Sequence, residues 1–218
     1  MKGLLIKDFK LMLSQKRFFI MAIVFGLFFM ITNGDPASGL GYIMMLSILF
    51  TLSTISYDEY DNGMLFLMAL PMDRTMYVAE KYVFSGLMLL ISTITAFILA
   101  ILVTIGRNLI FAWKELLMTC VVLMMLFWLM LMITLPAQVK YGAEKGRMVI
   151  MLIGGGIFAV FVLLEMGKDY LGIDFGPMLI KLESLDESVF IIIGIVVVMA
   201  LSTGSYFISK NIIKKKEF

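Results

Sequence analysis

Apolar and polar positions alternate along this chain in long blocks rather than in short periods. Six runs, 18–32, 38–56, 82–106, 116–135, 148–164 and 188–209, contain no Asp, Glu, Lys or Arg, and all 34 charged residues fall between or outside them. A helix that crosses a bilayer needs roughly 20 mostly apolar residues, with about 17 to 25 tolerated. Five runs meet that length unaided. The first, at 15 residues, is completed by the apolar turn 11–13 or by local thinning of the bilayer. The pattern predicts an all-α polytopic membrane protein with six transmembrane helices. It forms one membrane domain over 1–218, because its connecting segments are too short to fold as a second, soluble unit.

The segments around these runs have readable roles. Residues 1–17 predict an amphipathic helix lying on the membrane surface. Lys7, Lys10, Ser14 and Arg17 recur at helical spacing on one face, and Leu5, Phe9, Met12 and Leu13 on another. The plainer alternative is a basic flank that only sets topology. Asn33, Gly34, Asp35 and Pro36 predict a tight hairpin between spans one and two. Pro136 is expected to end span four, through its missing N–H and the clash of its ring, with a short inner loop at 137–147. Gly154, Gly155 and Gly156 in span five predict either close helix packing or a hinge. Residues 165–187 form the longest polar segment on the opposite side.

Charge sets the orientation. With the amino terminus inside, fourteen Lys and Arg lie on that side against four outside (Arg107, Lys114, Lys168 and Lys181), while the outer side is acidic. The positive-inside rule then makes both termini cytoplasmic. The net charge of +2 hides this asymmetry and points to no nucleic acid. A cleaved secretory signal is disfavoured, because seventeen residues containing Asp8 make a poor leader ahead of the first run. The single cysteine, Cys120, excludes an intrachain disulfide.

One connector is built differently. The loop 57–81 opens with Tyr57, Asp58, Glu59, Tyr60 and Asp61, continues through the amphipathic stretch 64–69, and then reaches Leu70, Pro71, Met72, Asp73 and Arg74. A short surface helix fits, ended near Leu70 because the residue before proline avoids the helical region. Asp73 is then placed to cap the next helix. An apolar tip beside acidic residues suits a cleft on a cytosolic protein. The alternative buries Met64, Phe66 and Leu67 among lipid headgroups.

Chemistry inside the membrane is excluded on residue types. The chain has no His, one Cys and no carboxylate within any run, so a metal cluster, an aspartyl pair and a Cys/His couple are all missing. It also lacks a phosphate-cradling Gly-x-x-x-x-Gly-Lys-Ser/Thr loop. An ion-coupled carrier retains ionisable groups at membrane depth despite a cost of about 2.5 to 3.5 kcal/mol each, and none is present. Energy is therefore expected from a separate protein. A non-transporting structural or assembly protein would also fit the absence of intramembrane charge.

The opening residues 1–8 (Met1-Lys2-Gly3-Leu4-Leu5-Ile6-Lys7-Asp8), the acidic patch after span two, the Leu70 to Arg74 element and the Lys81-Tyr82 pair that opens span three resemble the six-span permeases of type-2 ATP-binding-cassette exporters. The likeness is nearest to the permease subunits of phenol-soluble modulin and bacteriocin-immunity exporters. It implies a homodimer or paralogue pair of permeases in the bacterial cell membrane, each bound to a cytosolic ATPase that holds ATP and Mg, with no cofactor in this chain. It also implies an elbow helix at 1–17 and a coupling helix in 57–81. Asp58, Glu59, Tyr60, Asp61, Leu70, Pro71, Met72, Asp73 and Arg74 become expected ATPase contacts, and the inner loop with Lys140, Glu144 and Lys145 a second one. Small amphipathic peptides become the expected cargo, with drugs and lipids as alternatives. The 21 methionines fit adaptable apolar surfaces.

Overall fold

The computed structural model describes residues 1–60, 63–69, 73–107, 113–171 and 187–216. Seven helices account for them: α1 (Lys2–Ser14), α2 (Lys16–Thr32), α3 (Pro36–Glu59), α4 (Gly63–Ala69), α5 (Arg74–Gly106), α6 (Trp113–Leu171) and α7 (Glu187–Lys215). Four segments are long and apolar enough to cross a membrane, namely α3, α5, Trp113–Gly142 of α6 and Ile191–Lys215 of α7. Helices α1 and α2 meet that test together but are bent by 64° at Gln15.

Local chemistry explains where the helices begin and turn. Asp35 caps α3 by accepting a hydrogen bond from the Ala37 N–H at 2.9 Å, with Pro36 in the first turn, where its missing N–H costs nothing. In the hairpin that results, α2 and α3 cross closely at small residues. A Cβ on Gly26 would lie 2.5 Å from the Ile43 side chain. Helix α3 is the most enclosed of the apolar spans and α7 the least. Ser47, Thr51 and Thr54 are buried on α3 without being left unsatisfied. The Thr51 and Thr54 hydroxyls donate to carbonyls of their own helix, and Ser47 donates across to the Met88 carbonyl on α5 at 3.3 Å.

The fourth apolar run does not stop at its proline. Helix α6 continues through Pro136 and breaks at Gly142, whose φ of 77° and ψ of −179° leave the helical region. One proline removes a single backbone bond, which a membrane helix tolerates where neighbouring groups compensate. A backbone conformation restricted to glycine ends the segment outright. The position is also crowded, since a Cβ at Gly142 would lie 2.8 Å from a Glu59 carboxylate oxygen. Gly142→Ala is therefore expected to destabilise the protein by about 1–3 kcal/mol, read as a lower unfolding midpoint in detergent. An unchanged midpoint would mean that the break is not held where described.

Helix α7 runs parallel to the first limb of α6. Along both, rising residue numbers meet in register: Met125 lies against Gly194, the Trp128 indole N–H donates to Ser202 at 2.7 Å, and Ser205 donates to the Met132 carbonyl at 2.5 Å. At one end of the bundle, Leu4 of α1, Met64 and Leu67 of α4, Tyr77 and Val78 of α5, Val139 of α6 and Ile213 of α7 form one buried cluster. Both ends of the described chain thus lie at the same pole of the molecule. This pole is called the base below.

Candidate functional site

A buried charge cluster joins three helices at the base. Lys81, in the second turn of α5, is 1% exposed and donates to Asp8 of α1 at 2.5 Å and to the Thr54 hydroxyl of α3 at 3.1 Å. Its ammonium also lies 2.8 Å from Asp58 in the last turn of α3. Lys7 pairs with the same Asp58 and, at 3.0 Å, with Asp8. The Tyr77 hydroxyl donates to Asp58 at 3.1 Å. Burial works to lower the Lys7 pKa, but the Asp58 and Asp8 carboxylates outweigh it and hold the ammonium above its ordinary value. Desolvating a charge costs several kcal/mol, and the cluster offsets that cost by interleaving opposite charges. Glu80 is the exception. It is fully buried, its carboxylate accepts no hydrogen bond, and its nearest ion-pair partner, Lys81, is 4.0 Å away.

The apolar side of α1 packs on the bundle rather than on lipid alone. Leu5, Phe9 and Met12 lie against Phe50, Phe84 and Met88, with the Phe9 and Phe84 rings edge to face at 5.4 Å. Leu13 stays exposed. The elbow is therefore fixed from two sides, by aromatic packing and by Asp8.

Helix α4 is divided by its own period. Met64 and Leu67 point into the base cluster, whereas Leu65 and Phe66 face outward, Phe66 with 70% of its surface exposed. Tyr60, just ahead of the helix, is 73% exposed. The tight approach before α4 needs Gly63, because a Cβ there would lie 2.8 Å from the Asp58 carbonyl oxygen. The result is a short helix bolted on one side and bare on the other.

The residues singled out from the sequence separate into three groups. Asp58, expected to face a partner, is buried instead, because Lys7, Lys81 and Tyr77 draw its carboxylate inward. Glu59 pairs with Lys216 at 3.2 Å, and Arg74 donates to the Lys216 carbonyl at 2.8 Å. Asp73 occupies the cap position of α5, where its carbonyl accepts from the Met76 N–H at 2.9 Å, but its side chain makes no cap bond. Tyr60 stands open to the outside. Asp61, Leu70, Pro71 and Met72 lie outside the described residues. Lys140 is exposed with its ammonium 4.8 Å from the Tyr141 ring centre. The side chains of Glu144 and Lys145, and the surroundings of Gly154, lie outside the description. A Cβ added at Gly155 or Gly156 would meet no atom within 4 Å, so close helix packing within the described chain is not what they provide.

Sequence reading missed Asp8, Tyr77, Glu80 and Lys81 as a unit. One signal was present. Asp8 is the only acid among the cations of 1–17, and it falls four residues after Leu4, on the side of the helix that turns inward.

Within the span region, a cavity of about 390 Å³ lies between α5, α6 and α7. Gly86, Leu90, Met124, Met125, Trp128 and Met199 are among its lining residues. The one indole N–H at its wall is already engaged by Ser202. Among the described residues no group of three His, Cys, Asp or Glu is gathered as a metal site would require.

No curated protein and no solved structure matches the chain. A family model described as ABC-2 family transporter protein matches residues 3–214. That match takes in the elbow, the charge cluster, α4 and every apolar span as one continuous unit, and the chain accordingly belongs to the ABC-2 family of transporter proteins, as a multi-pass membrane permease.

Proposed function

We propose that this chain is the membrane-spanning subunit of an ATP-driven exporter, and that α4 with its flanks is the coupling element on which a separate cytosolic ATPase docks. The observation that carries the reading is the two-sidedness of α4. Met64 and Leu67 are sunk in a cluster shared with α1, α5, α6 and α7, while Leu65, Phe66 and Tyr60 stand exposed. A push on the bare side therefore reaches four other helices. The partner-facing role passes from Asp58, which is buried, to these exposed side chains. Family membership supports the ATPase partner; on this reading that partner holds ATP and Mg, and this chain supplies no catalytic residue.

The same geometry supports a reading with six crossings. Because α7 and the first limb of α6 run in parallel, a return of the chain between Gly142 and α7 is expected on this reading, and the second limb of α6, which carries the run 148–164, is the segment assigned to it. The sparsely buried α7 leaves room for lipid or a second permease copy. An apolar cavity with methionine walls favours an amphipathic or lipid-like cargo over a sugar or an ion. Small amphipathic peptides are the first choice and lipids or drugs the second. The test is to purify the tagged chain with the products of its neighbouring genes. An ATP-hydrolysing subunit in equal ratio, active in lipid, is expected, and purification of the chain without one would refute the reading.

A further inference from the structure

Lys216 follows the last residue of α7, yet it is not loose. Its backbone N–H still donates to the Ile212 carbonyl at 3.0 Å, and the neighbouring Ile213 is fully buried in the base cluster beside Met64 and Leu67. From that fixed point it reaches three separate elements. The ammonium donates to Glu59, the last residue of α3, at 3.2 Å and to the Val139 carbonyl of α6 at 3.0 Å. Its carbonyl accepts from Arg74, the first residue of α5, at 2.8 Å. Glu59 and Arg74 are the two feet of the loop that carries α4. The other face of the Glu59 carboxylate rests on the glycine-only break of α6 at Gly142.

We propose that Lys216 is a positioning residue that staples both feet of the α4 loop to the end of α7 and the end of the first limb of α6, and so fixes where α4 stands to receive the ATPase. The proposal rests on the docking reading given above and adds the last helix to the route by which a stroke leaves the loop. Three features separate the contact from an ordinary surface pair. Holding a lysine side chain in one geometry costs rotamer entropy, and exposed pairs contribute little in return. Here the two side chains are only 24% and 21% exposed, the ammonium has a second acceptor, and the backbone of the same residue bonds the opposite foot. A contact made by both the side chain and the main chain of one residue holds two elements in register, which a lone ion pair does not.

The test has two arms. In the first, spin labels at Phe66→Cys and Ile208→Cys, on a Cys120→Ala background, report the distance from α4 to α7 in the permease alone in lipid. Lys216→Met is expected to broaden that distribution at least twofold, Lys216→Arg to preserve it, and the exchange Glu59→Lys with Lys216→Glu to restore at least half of the sharpness. An unchanged distribution in Lys216→Met overturns the staple. So does a fall in melting temperature of more than about 5 °C that accompanies the broadening, since that marks general loosening. In the second arm, the unlabelled permease in lipid is titrated with its ATPase subunit. Lys216→Met is expected to raise the half-saturating concentration about fivefold while maximal turnover per bound ATPase changes less than twofold. A native permease that binds no ATPase defeats the docking reading while the first arm still judges the staple. Native binding with no shift in the variant overturns the positioning role.

Discussion

Lys81→Ala is expected to destabilise the protein by about 3–5 kcal/mol, the range for removing one partner of a buried ion pair, and this is the largest effect of any single substitution at the base. The reason lies in what is left behind. Without the Lys81 ammonium, Asp8 and Asp58 keep the partly exposed Lys7 as their one cation in the cluster, with the Tyr77 hydroxyl still on Asp58, and Glu80 loses its nearest cation. Three carboxylates in a nearly dry site repel one another, and protonation then becomes the only relief. Chemical unfolding in detergent, followed by helical signal, reads the loss. The double variant Asp8→Asn with Lys81→Met is expected to recover part of it, because removing charges in opposite pairs costs less than orphaning one. Equal stability of native and Lys81→Ala protein would mean that the cluster is hydrated rather than closed.

The second large effect concerns α4, where two adjacent positions are expected to behave oppositely. Phe66→Ala should leave permease stability within about 0.5 kcal/mol, as for other exposed positions, yet weaken ATPase binding by about 30-fold, the cost of roughly 2 kcal/mol for losing an aromatic anchor. Leu67→Ala should act first on the fold, lowering stability by about 2–5 kcal/mol through the cavity it opens among Met64, Tyr77 and Ile213. Titration of the reconstituted permease with its ATPase, alongside melting of each variant, separates the two. If Phe66→Ala bound the ATPase as well as native protein did, the outward side of α4 would not be the docking face.

Much of the architecture was legible because the membrane imposes a coarse rule. A run without charge must be a helix, and the hairpin at Asp35 and Pro36 announces its own cap. The break at Gly142 was not legible, because a proline six residues earlier gives the stronger local signal. Only the crowding of Glu59 against the α6 backbone explains why glycine stands there. At the candidate site, the exposed apolar tip could be read from loop composition, whereas the direction of each acidic side chain could not. Asp58 and Glu59 are neighbours in sequence, yet one is buried under Lys7 and Lys81 and the other reaches Lys216. Their partners lie 51, 23 and 157 residues away, with separations that no local pattern encodes.

The joining of Leu4, Asp8, Lys81 and Ile213 at one pole also governs the order in which the molecule matures during synthesis. Asp8 leaves the ribosome early, but the ammonium that neutralises it belongs to a residue made 73 positions later. Ile213, which closes the apolar cluster at the same pole, lies near the end of the last apolar span and arrives after the others have been made. Asp8 therefore stays without its buried cation until α5 has been made, and a chain whose translation stalls before α7 has spans but an unfinished base. On the docking reading proposed above, such a product would offer an ATPase no finished seat.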